Sequence, residues 1–337
     1  MPADRPVPAT TRHRLEYAAF RAAAAVLAAL PPRATAAACG GLARLVASLP
    51  HKWTRGDVAR RNLAVAFPEL SADEAGDRVR AMWAHLFRLV AETVQFPRKL
   101  RRENQADVLS FVHRDETVRA VNSGRPVIVL GGHYGNWEIA SAAFGAFGVP
   151  VSVVARDLDN PLIHRWFARV REASGGRLIS KKGGGGAVTD VLAAGGVVGL
   201  LADQDAGSRG QFVPFFGRDA STFKSIALLA MEYDALVLVG YARRLPDDWR
   251  RNRWVRFEVG TEAVLDPREF TAGSALRDLT AAYTAALERA VRRSPEQYFW
   301  VHRRWKSVPK PRGRKARERA APAAAGTGPA APLAAAA

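Results

Sequence analysis

The residues best suited to chemistry lie in one short segment, residues 131–138 (GGHYGNWE). It follows the apolar run 127–130 (VIVL) and precedes a helix-like run of small residues. The pattern therefore predicts a strand, a glycine turn and a helix, with His133 at the strand tip and Glu138 on the first helical turn. A histidine held by a nearby carboxylate is the usual means of removing a proton from a hydroxyl. The segment predicts general-base chemistry, with metal binding and helix capping as alternatives.

A second group of acidic residues, Asp203 and Asp205, directly follows the apolar run 198–202. Ligands of open α/β sheets bind beyond the carboxyl ends of the strands, so these carboxylates should face the same crevice as His133. Histidine with carboxylates also suits several divalent ions, but His164 is the one plausible further imidazole ligand. We expect no metal and no other cofactor. A metal-dependent hydrolase using His133, Asp203 and Asp205 is the alternative from a different class.

Arginines form a third set of candidates. Arg156 follows the strand-like run 151–155, and the next predicted helix carries Arg165, Arg169 and Arg171. Guanidinium groups match the geometry of phosphate and carboxylate oxygens. We interpret Arg165 and Arg169 as a solvated helix face, and Arg156 as a candidate for anion binding.

Strands and helices that alternate from residue 111 onward must position these side chains. The predicted strands are 127–130, 151–155, 177–179, 197–202, 235–242 and 254–259, and the predicted helices are 138–147, 160–173, 186–194, 221–233 and 272–293. The alternation predicts an α/β fold with a mostly parallel central sheet flanked by helices. Before it, residues 13–49 read as two helices, and a capping box at Ser71 begins a helix over 72–95 that Pro97 should end.

We divide the chain into four parts. Residues 1–12 are predicted to be disordered, 13–100 to form an N-terminal helical membrane-interface region, 101–306 to form the α/β catalytic domain, and 307–337 to be a basic and then Ala/Pro-rich disordered tail. Apolar runs flanked by arginines in 13–49 are typical of helices lying in a membrane interface, although a buried helical hairpin is the alternative. Residues 210–217 (GQFVPFFG) form an apolar loop expected either to meet acyl chains or membrane, or to dock onto the core.

Composition excludes some classes of function. The single cysteine, Cys39, rules out a disulfide framework within the chain and a cysteine-rich metal site. The net charge is +18, of which the tail 307–337 supplies +5 and the rest of the chain +13. An excess of this size indicates an anionic partner, which is nucleic acid, an anionic membrane face or an acidic protein. No recognised nucleic-acid-binding module is present, so we expect no nucleic-acid partner.

Six motifs, in order along the chain, resemble the bacterial lysophospholipid acyltransferase superfamily, in the branch of the late lipid A acyltransferases and the phosphatidylinositol mannoside acyltransferases. The resemblance covers roughly residues 15–306. The motifs are Arg61-Asn62-Leu63 with Phe67-Pro68-Glu69-Leu70, His133-Tyr134-Gly135-Asn136-Trp137-Glu138, Arg156 with Asp159-Asn160-Pro161-Leu162, Asp203-Gln204, Phe212-Val213-Pro214-Phe215-Phe216-Gly217, and Gln297-Tyr298-Phe299-Trp300-Val301-His302-Arg303-Arg304-Trp305-Lys306.

The resemblance implies a glycerol-3-phosphate acyltransferase-like fold and an O-acyltransferase that moves an acyl chain from a thioester to a lipid hydroxyl. The implied donor is acyl carrier protein or acyl coenzyme A, and the implied acceptor is an anionic lipid, either a lipid A precursor or another glycolipid or lysophospholipid. The expected location is the cytoplasmic face of the inner membrane, with a peripheral or weak attachment.

Residue roles also follow from the resemblance. His133 is the implied general base and Glu138 its orienting carboxylate, while the oxyanion is expected to receive hydrogen bonds from the amides of the glycine turn or from an arginine. Arg171 and Asp203 match further functional positions of the family. The expected substrate-binding set is Arg156, Arg171, Asp203 and Asn136.

Overall fold

A mostly parallel sheet is the frame on which the candidate residues are arranged. The computed structural model describes residues 8–146, 148–172, 175–181 and 183–309; the segments 1–7 and 310–337 of the two predicted disordered ends lie outside these ranges. Within them the main sheet has seven strands. Their order is β1 (Leu109–Val112), β9 (Phe257–Leu265), β8 (Leu236–Arg244), β2 (Val127–Gly131), β5 (Val197–Leu201), β3 (Val151–Ala155) and β4 (Arg177–Ser180). Neighbouring strands are parallel except β8 and β9, which are antiparallel. The predicted α/β class, with a mostly parallel central sheet flanked by helices, is thus confirmed.

After an all-helical beginning, strands and helices alternate along much of the chain, but residues 197–222 hold three successive strands and residues 236–265 hold two. The strands are β1 (Leu109–Val112), β2 (Val127–Gly131), β3 (Val151–Ala155), β4 (Arg177–Ser180), β5 (Val197–Leu201), β6 (Gln211–Phe215), β7 (Arg218–Thr222), β8 (Leu236–Arg244) and β9 (Phe257–Leu265). The helices are α1 (Thr11–Ala29), α2 (Pro32–Ser48), α3 (His51–Thr54), α4 (Gly56–Ala66), α5 (Ala72–Lys99), α6 (Gln105–Val108), α7 (Arg114–Val121), α8 (Trp137–Ala146), α9 (Pro161–Glu172), α10 (Gly185–Ala193), α11 (Ser225–Glu232) and α12 (Ala275–Arg293).

Both faces of the central strands are covered, as their continuous apolar sequences require. On β2 the side chains of Ile128 and Leu130 join a core with α10, α11 and α12. Val127 and Val129, which point to the opposite face, pack with residues of α7 and α8. Since the side chains of a strand alternate between faces, one strand contributes to both cores. The tip of β2, where His133 follows, is thereby fixed from two sides.

The N-terminal helices pack against the catalytic half of the chain. The side chain of Asn160, at the start of α9, donates to the carbonyl of His13 and to the carboxylate of Glu16 on α1. Phe20 of α1 contacts Trp166 with ring centroids 5.1 Å apart. No helix among the described residues combines the length and the apolar character needed to cross a bilayer.

Several element boundaries differ from the predictions, and the helix predicted at 221–233 begins only at Ser225, because residues 218–222 form β7. The helix begun by the Ser71 capping box continues through Pro97 to Lys99, because a proline so near the end removes only one bond of the last turn and Leu100 still donates to the Phe96 carbonyl. The strand predicted at 254–259 is β9, which begins only at Phe257 and runs to Leu265.

The phenylalanine-rich segment 210–217 is part of a hairpin, not a loop. It forms β6 and the turn at Phe216 and Gly217, and the partner strand β7 begins at the next residue, Arg218. Phe215 and Phe216 are buried and contact the rings of Trp300, Tyr298 or Phe67. Of the two alternatives, docking onto the core is confirmed and an exposed lipid-binding loop is wrong for these two rings.

Candidate functional site

Strand register brings His133 and Asp203 together. Parallel strands β2 and β5 are neighbours, and Gly131 is paired with Leu201. Because both chains leave the sheet at the same edge, the residues that come two positions later lie side by side. Gly132 leaves room for this approach, since a β-carbon there would lie 3.3 Å from an oxygen of the Asp203 carboxylate.

The Asp203 carboxylate binds His133 at two points. Its Oδ1 lies 2.8 Å from the imidazole Nδ1, and its Oδ2 accepts the backbone amide of His133 at 2.7 Å. The ring is further enclosed by Trp137 and Phe299, with centroids 5.1 and 6.1 Å away. Since Nδ1 donates to Asp203 in the neutral imidazole, Nε2 is left as the basic nitrogen.

The two groups shift each other's pKa in opposite directions. Burial by itself would lower the pKa of His133, but the charge and the hydrogen bond of Asp203 outweigh burial and raise this pKa above its ordinary value of 6.5. Burial likewise would raise the pKa of Asp203, but the His133 charge and hydrogen bonds lower it to about 2. The carboxylate therefore remains ionised and stabilises the imidazolium form.

Glu138 has a different partner from the one expected. Its two carboxylate oxygens accept the Nε and Nη2 groups of Arg171 on α9, at 2.9 and 2.7 Å. The prediction that Glu138 orients His133 is corrected, because Asp203 binds the imidazole Nδ1. The helical spacing places Glu138 on the side of α8 that faces α9, so its carboxylate fixes a guanidinium instead.

The glycine turn is held by its own backbone. Three backbone amides of the turn already donate hydrogen bonds. The His133 amide donates to the Asp203 carboxylate, the Gly135 amide to the Gln297 carbonyl and the Asn136 amide to the Ala242 carbonyl. These three amides do not supply the expected oxyanion hydrogen bonds. Gly135 has φ +60°, and a β-carbon there would lie 2.0 Å from the Ala242 oxygen, so this position requires glycine.

The other two expected substrate-binding residues lie in contrasting environments. Asn136 is fully buried, its amide donating to Glu92 and its oxygen accepting the Ile139 amide at the start of α8. It supports the turn, and the expectation that it touches substrate is not supported. The Arg156 side chain is 83% exposed and lies 3.5 Å from Asp159, at the rim of the cavity described below.

A second histidine, His302, lies against His133 and was missed by sequence reasoning. The two ring centroids are 4.9 Å apart, and the Gln204 side-chain amide lies 3.2 Å from His302 Nε2. Burial and the charge of His133 lower the pKa of His302 to about 4, so it is neutral near pH 7. Its only sequence signal was membership of the C-terminal motif, since no local spacing connects it with His133.

Two further motif residues support the site from a distance. Asn62 of α4 donates at 2.6 Å to the carbonyls of both Trp300 and His302. Arg304, which is buried, donates to the Ser221 carbonyl of β7 at 2.6 Å. These contacts connect the first and last motifs of the chain with the His133 segment, because they fix the C-terminal residues that cover His133.

A large apolar cavity opens beside His133. Its volume is about 1140 Å³, just above the roughly 300–1,000 Å³ usual for small-molecule sites. Its wall includes His133, Glu138 and Arg171. The wall also includes side chains of α7 and α8 and the strand glycines Gly131, Gly199 and Gly240.

The acidic residues do not converge on a single point. Asp205 accepts hydrogen bonds from the amide and the hydroxyl of Ser307, and His164 lies 3.7 Å from Asp157. In the part of the chain that the structure describes, no three His, Cys, Asp or Glu side chains are arranged to hold a metal ion. The ligand set of the hydrolase alternative is therefore not assembled.

Replacing Asp203 by Asn should lower the pKa of His133, because the carboxylate that raises it is removed. Histidine NMR titration measures this pKa directly. The ion pair contributes to the free energy of unfolding at pH values where Asp203 is ionised and His133 is protonated. Its contribution therefore disappears as pH rises through the raised pKa of His133. We expect the variant to lose roughly 1.5–3 kcal/mol of unfolding free energy at pH 5 and less at pH 9. An equal loss at both values would contradict the pairing.

Comparisons with known proteins identify the family of this chain. Residues 9–307 match the family model described as bacterial lipid A biosynthesis acyltransferase. The chain is 29% identical over 261 residues to the lipid A biosynthesis lauroyltransferase of Escherichia coli K12, covering 76% of this chain and 80% of the relative. Over the same coverage it is 28% identical to the palmitoleoyltransferase of that organism. It is 27% identical over 194 residues to the phosphatidylinositol mannoside acyltransferase of Mycolicibacterium smegmatis, covering 56% and 64%. The chain is an acyltransferase and belongs to the bacterial lipid A biosynthesis acyltransferase family.

Proposed function

We propose that this acyltransferase moves a fatty acyl chain from a thioester to a hydroxyl of a lipid A precursor, with His133 as general base. The observation that carries the proposal is a histidine whose Nδ1 is bound by a buried carboxylate at the wall of a large apolar cavity. The family match supports the reaction class. Phosphatidylinositol mannoside, a lysophospholipid and other glycolipids are the alternative acceptors, which mass spectrometry of the acylated lipid distinguishes.

The proposed reaction is a direct transfer. His133 Nε2 takes the proton of the acceptor hydroxyl while the oxygen attacks the thioester carbonyl carbon. The tetrahedral intermediate collapses with cleavage of the C–S bond, and the imidazolium returns the proton to the leaving sulfur. Asp203 stabilises the imidazolium throughout. The products are an ester and a thiol, and no serine or cysteine nucleophile is needed.

Arg171 is our candidate for the positive charge that meets substrate anions. Glu138 holds it by two hydrogen bonds, and both groups line the cavity. A guanidinium fixed in this way is suited to a phosphate or to the oxyanion of the intermediate. We therefore assign Glu138 to fixing Arg171, and Arg156 and Lys181 to the basic rim that receives an anionic donor, either acyl carrier protein or acyl coenzyme A.

Three substitutions test these roles in a purified assay with an acyl thioester and a lipid A precursor. His133→Ala should lower kcat by roughly 10²–10⁴-fold, because the base is lost. Asp203→Asn should shift the acid limb of the kcat/KM profile to lower pH. Glu138→Gln should mainly raise KM.

Full activity of His133→Ala, or a trapped covalent acyl-enzyme, would end the proposal. If Glu138→Gln shifts the pH profile of kcat/KM and Asp203→Asn leaves that profile unchanged, the assignment of Asp203 is contradicted. Arg165→Gln, on the exposed face of α9, is the matched control for loss of charge.

The cavity is proposed to hold the acyl chain. Gly131, Gly199 and Gly240 lie on three strands that are neighbours in the sheet, and each lines the cavity. A glycine in a strand interior often marks a close approach of a ligand. A β-carbon at Gly240 would make only ordinary contacts, the nearest at 3.4 Å, so a larger side chain there should enter the cavity.

Gly240→Val should shift the donor preference to shorter acyl chains. Each methylene of the acyl chain that can no longer be buried in the cavity loses about 0.8 kcal/mol of binding free energy, which is about fourfold in kcat/KM. A series of acyl thioesters of increasing length measures the shift. Gly273→Val, at an exposed loop position with no neighbours within 4 Å, is the control, and an unchanged profile for Gly240→Val would contradict the assignment.

The N-terminal helices are proposed to rest on the anionic cytoplasmic face of the inner membrane. Leu42 and Leu45 are exposed on α2, Leu49 is exposed directly after it, and Trp53 on α3 is 70% exposed. Arg44 and other basic side chains adjoin them. Exposed apolar side chains with flanking cations favour burial in a bilayer interface.

Leu45→Glu combined with Trp53→Glu should abolish co-flotation with vesicles that contain anionic lipid. Transfer to a detergent-dispersed acceptor should persist, because neither residue lines the cavity. Val308→Glu, also at an exposed apolar position, is the control and should bind vesicles normally. Unimpaired flotation of the double variant would contradict this membrane face.

A further inference from the structure

A buried polar network lies beneath the glycine turn and takes no part in the chemistry described so far. It consists of His85 and Glu92 on α5 and Arg244 at the end of β8, all of them buried. Arg244 donates through Nε and Nη2 to the two oxygens of Glu92, at 2.6 and 2.8 Å. Its Nη1 lies 2.8 Å from His85 Nδ1.

The network ends on the turn that carries His133. His85 Nε2 lies 3.1 Å from the Gly135 carbonyl oxygen, and Glu92 accepts the side-chain amide of Asn136 at 3.0 Å. Arginine is always a donor, so His85 Nδ1 must accept from Arg244 and Nε2–H must donate to Gly135. Burial and the charge of Arg244 hold the pKa of His85 well below 6.5. His85 therefore keeps one tautomer and one direction of hydrogen bonding.

Stability alone does not account for such a network. Taking an arginine and a glutamate out of water costs about as much as their attraction returns, and well-packed apolar side chains often serve the fold equally well. A fully satisfied buried network does fix one geometry, because every displaced group loses a hydrogen bond in a low-dielectric interior. Here the groups that it fixes are the carbonyl of Gly135 and the side chain of Asn136, on either side of a sharp bend.

The bend controls where the imidazole meets its carboxylate. His133 is held from the other side by Asp203 and by the Phe299 amide, which donates to its carbonyl at 3.0 Å. A rotation of the backbone at Gly135 or Asn136 would displace His133, which lies only two or three residues earlier in the chain. A displacement of about 1 Å in a catalytic group is enough to cost on the order of 10²-fold in rate.

We infer that His85, Glu92 and Arg244 are positioning residues, which set the turn so that His133 engages Asp203. The inference rests on the proposed role of His133 as the base. It predicts that breaking the network lowers kcat and also returns the pKa of His133 toward lower values, because the hydrogen bond to Asp203 loosens. The titratable groups that face His133 are Asp203, His302 and Lys181, and none of them is altered by a change at His85.

The test uses three substitutions at His85 in the full chain. His85→Leu removes both hydrogen bonds, His85→Asn is too short to span from Arg244 to Gly135, and His85→Gln can accept from Arg244 and donate to Gly135. We expect kcat to fall on the order of 10–100-fold in His85→Leu and His85→Asn, while KM for the donor stays within about twofold of the unsubstituted protein. In His85→Gln we expect kcat to recover largely. Histidine NMR should show the pKa of His133 lowered in Leu and Asn and near normal in Gln.

The matched control is Asp266→Asn, which breaks a 2.6 Å ion pair with Arg125 at the opposite end of β2. It should lower the unfolding temperature without changing kcat or the pKa of His133. If His85→Leu does not fold, the Asn and Gln variants decide the question. Equal kcat and equal His133 pKa in those two would overturn the inference. The NMR titration needs no substrate, so it separates failure of this inference from failure of the proposed reaction.

Discussion

The ion pair between His133 and Asp203 is the interaction on which the rest of the site depends. It exists because β2 and β5 are adjacent parallel strands paired at Gly131 and Leu201. Both chains end at the same edge of the sheet, so a histidine and an aspartate that are distant in sequence meet without any long loop. The aspartate is buried, and its charge is compensated by the imidazole and by a backbone amide. A slip of one residue in strand register would turn one partner to the other face of the sheet.

Much of the surrounding structure secures this meeting. The bend after His133 is closed by Gln297 and Ala242 through backbone hydrogen bonds. The C-terminal residues over the imidazole are held in turn by Asn62 from α4 and by Arg304. The first and last motifs thus support the segment that carries His133. Asn62 donates to backbone carbonyls, and Arg304 donates both to the Ser221 carbonyl and to the Thr222 hydroxyl.

The same turn separates two functions in space. His133 projects from the strand tip toward Asp203, while Glu138, on the first turn of α8, faces α9 and binds Arg171. The imidazole and the fixed guanidinium therefore border one cavity from neighbouring elements. Side chains of α7 and α8 and the bare backbone at three strand glycines form further parts of its wall.

The sequence by itself determined the α/β alternation, the position of most strands and helices, and the presence of His133 at a strand tip, because these follow from local apolar periodicity and from glycines that permit a sharp turn. It also indicated the family, through motifs that are short and local. The partner of His133, the support role of Asn136, the approach of His302 and the docked phenylalanine hairpin depended on which strands are neighbours and which faces are covered. Helical spacing from His133 favoured Glu138, but the tertiary structure placed Asp203 there, because pairing between strands, and not distance along the chain, decides which carboxylate reaches the imidazole.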